Sequence, residues 1–173
     1  MTTPRNHAVL PALLLLPFLA GPAAAQYVTP PKDSGLTIDN VVPTRPAKVL
    51  MNMDHNAISG RVPTGIYYMQ LIVTEYRANN TPLDMVAIFH DAGGYMVLND
   101  AAYNRYKHAR TGNPWKAAIA ALQKQGVAFE LCAFTAYNKR WVNADLLPGV
   151  KVDNDVLLRL INLTQDGFVQ IQP

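Results

Sequence analysis

The sequence predicts an α/β domain with a mainly parallel sheet covered by helices on both faces. Three observations predict it. Short apolar runs alternate with helical stretches from residue 48 to the end. The run Met85-Val86-Ala87-Ile88-Phe89 is apolar throughout instead of alternating, as a strand buried on both faces must be. No internal repeat or low-complexity tract breaks the order.

The first segment has a different character. Residues 1–7 carry Arg5 and no acid, residues 8–20 are a leucine-rich apolar run broken by Pro11 and Pro17, and Gly21, Pro22 and Ala23-Ala24-Ala25 close it with small residues. This reads as a secretory signal peptide, residues 1–25, cleaved after Ala25. The run is short of the roughly 20 residues that span a bilayer, so no membrane span is expected. Residues 26–46 hold Pro30, Pro31, Pro43 and Pro46 and read as an extended, proline-rich amino-terminal arm. The α/β domain is expected over residues 47–173.

The strands and helices follow in order. Residues 48–53 form the first strand. Ile66, Met69, Val73 and Tyr76 then share one helical face, and Asn79-Asn80 stops that helix before a strand over 84–90. Asp100 is placed to cap a helix over 101–108. Asn113-Pro114 is placed to start the next, with Trp115, Ala118, Ile119 and Leu122 inward and Gly126 at its end. A strand over 127–132, a short helix over 134–141 and a small strand over 150–152 come next. Asp153 or Asn154 caps a last helix whose buried face is Val156, Leu157, Leu160, Ile161 and Thr164, and residues 168–171 form the final strand.

Composition narrows the function. The chain has 173 residues, 50% hydrophobic and 16% charged, with a net charge of +3, which excludes a disordered chain and points only weakly to anionic partners. Arg105, Lys107, His108 and Arg110 lie among Tyr103, Tyr106 and Trp115. Export argues against nucleic acid, so this stretch reads as a solvated helix and loop with its rings partly buried. The single cysteine, Cys132, excludes an internal disulfide, leaving a packed thiol or one free for chemistry.

Parallel sheets bind ligands beyond the carboxyl ends of their strands. The predicted ends carry Asp54 and His55, then His90 and Asp91, then Cys132 followed by Thr135, then Asp153. His90 and Asp91 suit a base and its orienting acid, although neighbours on an extended chain point opposite ways. Asp54, His55, His90 and Cys132 offer metal-type donors without any metal-binding spacing, so no metal and no cofactor are expected.

Several of these residues carry a resemblance. Asn113-Pro114, the helix ending in Leu122, Gly126-Val127, Cys132-Ala133-Phe134-Thr135, the stretch Asp145-Leu146-Leu147-Pro148-Gly149-Val150-Lys151-Val152 and the closing strand resemble the DsrE/DsrF-like family over the carboxyl-terminal half. The resemblance implies a three-layer α/β/α fold with a five-stranded, mainly parallel sheet, assembled as a homo-oligomer, trimer or hexamer. It also implies sulfur carriage as a persulfide on the cysteine matched by Cys132, with a small sulfur species or a sulfur-donor protein as partner. Ala133 stands where that family usually has glycine.

The combined expectation is a periplasmic DsrE-like sulfur carrier or sulfurtransferase. Cys132, His90 and Asp91 would be its catalytic residues, and Asp54, His55 and Thr135 would bind the ligand. A thiolate at Cys132 would draw on the N-terminus of the following helix and on an imidazolium at His90. The alternative is a non-catalytic oligomeric small-ligand-binding or accessory module in which Cys132 is structural.

Overall fold

A computed structural model describes residues 33–173. The expected signal peptide lies outside the described residues, as does the start of the arm. Residues 35–46 form no helix or strand and are largely exposed.

Seven strands and five α-helices follow: β1 (Ala47–Met53), β2 (Ile58–Ser59), β3 (Val62–Pro63), α1 (Thr64–Ala78), β4 (Leu83–Phe89), α2 (Asp100–Lys107), α3 (Lys116–Lys124), β5 (Ala128–Cys132), α4 (Ala133–Lys139), β6 (Lys151–Asp153), α5 (Val156–Gln165) and β7 (Val169–Ile171). Five strands form one sheet in the order β6-β5-β4-β1-β7, every pairing parallel, so the expected α/β fold is present. The small β2–β3 hairpin and a 3-10 helix, Asp91–Val97, had no counterpart in the sequence reading.

The period of two along each strand divides the core. Val49, Met51, Met53, Ala87, Phe89, Phe129 and Leu131 face the larger side. There they meet Ile66, Met69 and Val73 of α1 and Ile119 and Leu122 of α3. Phe89 and Phe129 stack at 5.7 Å, and each fully buried side chain of this size contributes about 1.5–3 kcal/mol. Leu50, Val86 and Ile88 face the other side, where α5 supplies Leu163 and Phe168 follows it. The outer layers are therefore unequal.

Local chemistry moves three helix starts from their expected places. Asn99, not Asp100, caps α2 by accepting from the Ala102 amide at 2.9 Å. Asp100 instead takes the Asn113 amide and the Lys116 ammonium group. Asn113 does not open α3, which begins at Lys116. Its side chain, 2% exposed, ties Met96 and Leu98 to the turn before α3 by donating to both carbonyls. Asp155, not Asp153 or Asn154, caps α5 through the Leu157 and Leu158 amides.

The expected buried face of α5 is also corrected. Leu163 is its fully buried residue, with Val156 and Leu160 packed beside it, while Leu157 and Ile161 stand 64% and 51% exposed. Val156, Leu157, Leu158, Leu160, Ile161 and Leu163 place apolar groups nearly all round this helix, so periodicity alone does not choose the inward stripe.

Candidate functional site

The carboxyl ends of the strands gather the expected residues into three groups. The first sits past β1. Asp54 and His55 bond to each other, and the Gln172 amide donates to Asp54 Oδ2 at 2.6 Å. Burial pushes the Asp54 carboxyl up, but the hydrogen bonds from His55 and Gln172 and the adjacent imidazole outweigh it, leaving the group below its ordinary value. Asp54 also anchors the loop after β4, because its carbonyl accepts from the Ala92 and Gly93 amides. Gly93 is needed there, since a Cβ would lie 2.2 Å from the Met53 carbonyl oxygen.

The second group follows β4. His90 is 9% exposed, with Nε2 2.8 Å from Asn52 Oδ1 and Nδ1 3.2 Å from Asp91 Oδ2. The expected His90–Asp91 pair therefore exists, and the objection from extended backbone fails for a specific reason. Asp91 has φ +45°, a left-handed conformation that folds its carboxylate back toward the ring. Thr135 holds it there, its Oγ1 accepting from the Asp91 amide at 3.0 Å.

The third group follows β5. Cys132 is its last residue and the N-cap of α4, at the strand end where the sequence placed it, but the residue is only 3% exposed. Both His90 ring nitrogens bond Asn52 and Asp91, and no hydrogen bond joins His90 to the thiol among the described residues. Two residues earlier and on the same face, Glu130 takes a bidentate pair from Arg159 of α5 at 2.8 and 2.9 Å. Asp153 of β6 adjoins the Glu130 carboxyl, and its buried Oδ2 meets no donor among the described residues. Two adjoining carboxyls with an undonated oxygen are satisfied by a shared proton. Burial, then the Glu130 hydrogen bond and charge, push Asp153 up to about 7.

Beyond Asp91 the edge opens into a cleft of about 340 Å³ lined by Asn56, Asp91, Ala92, Tyr95, Tyr106, Lys107 and Lys139. Tyr95 forms its buried wall, with its hydroxyl fixed on Asn56 Oδ1 at 2.6 Å. The sequence does not single out Asn52, Asn56, Tyr95 or Lys139, and it reads Tyr106 and Lys107 as part of a solvated helix and loop. No group of three or more His, Cys, Asp or Glu among the described residues is placed to hold a metal ion. No helix among them is long and apolar enough to cross a membrane.

No family model matches the chain, and no curated protein does. Among solved structures it is similar to MTH1491 of Methanobacterium thermoautotrophicum, described as a protein of unknown function, at a TM-score of 0.54 and 18% identity. The match covers 73% of this chain and 99% of that one. At this identity the likeness concerns the fold.

Proposed function

We propose that this chain is an exported, periplasmic protein of DsrE-like type that binds a small ligand at the carboxyl edge of its sheet, with Cys132 packed as a structural residue. The observation that carries the reading is Asp91. A non-glycine residue at φ +45° is held by Thr135 and His90 at the lip of an open cleft. A residue other than glycine keeps this conformation where its surroundings hold it, and such residues collect at binding sites. The packed thiol agrees with it, since a group 3% exposed does not meet a donor without an opening of the edge.

Sulfur carriage on Cys132 is the second reading. It is favoured by the thiol's place at the start of α4, where helix amides stabilise a thiolate, and by the resemblance that assigns sulfur to this position. Assembly with further copies belongs to both readings. Exposed Tyr137 and Val142 share a depression of about 220 Å³ with Val152, an apolar surface suited to a second subunit.

NMR mapping tests the binding reading. A set of neutral, cationic and anionic fragments added to the purified chain should shift the amides of Asn56, Asp91 and Tyr95 while leaving the amino-terminal edge around Pro82 unmoved. A set that shifts neither, or only the amino-terminal edge, removes it.

A further inference from the structure

We infer that the edge cleft selects a small organic anion, its charged head held between Lys107 and Lys139 and its flat body lying on Tyr106. The inference rests on the proposed binding role and names the ligand class for that same cleft. The two lysines come from different helices, α2 and α4, and line one cleft, each over one of two stacked rings. Lys107 Nζ lies 4.5 Å from the Tyr95 ring centre, and Lys139 Nζ lies 5.8 Å from that of Tyr106. The two rings stack at 5.8 Å and 27°.

A second cleft of about 250 Å³ adjoins the first, sharing Tyr106 and Lys139 and adding Arg105, Arg140 and Trp141. Arg105 is neutralised by Asp145. Lys107, Lys139 and Arg140 form no ion pair with a carboxylate among the described residues, and Asp91 is the one acid on the walls of the two clefts. Like charges lining one cleft repel, and the ring faces offset this by only about 0.5–1 kcal/mol per exposed cation. An anion between the ammonium groups relieves the repulsion directly.

The same geometry sets the body of the ligand. Tyr106 lines both clefts and stands edge-on to Trp141 at 5.2 Å and 81°, so its orientation is fixed. A ring bearing a phosphate or carboxylate meets both demands, an anionic head and a face for stacking. A cation meets Lys107, Lys139 and Arg140 against the single carboxylate of Asp91.

Calorimetric and NMR titration of the purified chain at low salt tests this with phenyl phosphate, benzoate, inorganic phosphate and benzylamine. The expected order is phenyl phosphate tightest, inorganic phosphate weaker, and benzylamine without effect on the Tyr95 and Tyr106 resonances. The Lys107→Met/Lys139→Met double variant should bind phenyl phosphate at least tenfold more weakly, while Lys124→Met, on α3, binds it unchanged. Benzylamine binding as well as phenyl phosphate keeps the cleft as a ligand site but overturns the anion selectivity. Failure of both aromatic anions to bind, or binding that ignores the double variant, overturns the inference outright.

Discussion

Cys132 and Asp153 stand opposite each other in the parallel register of β5 and β6, the last residue of one strand beside the last residue of the other. The thiol therefore shares its face of the sheet with a carboxyl that keeps its proton up to about pH 7. β6 has three residues and forms one edge of the sheet, beyond β5.

Stability should accordingly fall as pH rises from about 4 to about 7. Asp153 is pushed from 3.8 to about 7 by burial and by Glu130, so its contribution is complete below the unfolded value and is lost as pH passes the folded one. Asp153→Asn keeps the neutral form. It should flatten the profile between pH 5 and 8 and leave the variant more stable than the wild type at pH 8, by on the order of 2 kcal/mol. Urea unfolding across this range checks it, and parallel profiles would remove the shared proton.

Arg159→Leu should destabilise the fold by about 3 kcal/mol, because Glu130 loses a bidentate partner and keeps a buried charge. The double variant Glu130→Leu/Arg159→Leu should cost less than the single one. A double-mutant cycle in denaturant separates the penalty of the orphaned charge from the worth of the pair.

The sheet was legible because its three central strands are largely apolar local runs, and each strand lies within a residue or so of its expected place. Caps were not, because Asn99 competes with Asp100, and Asp155 with Asp153 and Asn154; only the turn geometry decides which oxygen meets the first free amides. Half of the site was legible for a similar reason. Asp54, His90, Asp91, Cys132 and Thr135 follow from strand ends, whereas Asn52 is a lone polar residue in an apolar strand whose partner His90 lies 38 positions away. Lys107 and Lys139 meet only once two helices are packed.

Thr135→Val removes the oxygen that accepts the Asp91 amide while keeping the shape of the side chain. The loss to stability should be about 1 kcal/mol. The loss to ligand binding should be larger, several-fold in Kd for phenyl phosphate, because Asp91 is then free to leave its left-handed conformation. Equal binding by both proteins would show that the Asp91 conformation does not serve the cleft.

Asn113→Ala takes away the donors to the Met96 and Leu98 carbonyls in a buried setting. About 2 kcal/mol of destabilisation is expected. Thermal unfolding reads this directly, and the chemical shifts of Tyr95 and Trp115 should move with it, since their rings meet at 5.7 Å beside the same turn.

The most direct test of the binding reading against sulfur carriage is the alkylation rate of Cys132 in the folded chain, followed by intact mass with and without prior exposure to polysulfide. A packed Cys132 predicts labelling limited by opening of the edge, fast only in denaturant, with no sulfur atom added to the folded protein. Rapid labelling under native conditions, together with a stable gain of one sulfur atom that Cys132→Ser abolishes, would contradict the account and make this thiol the working group of the protein.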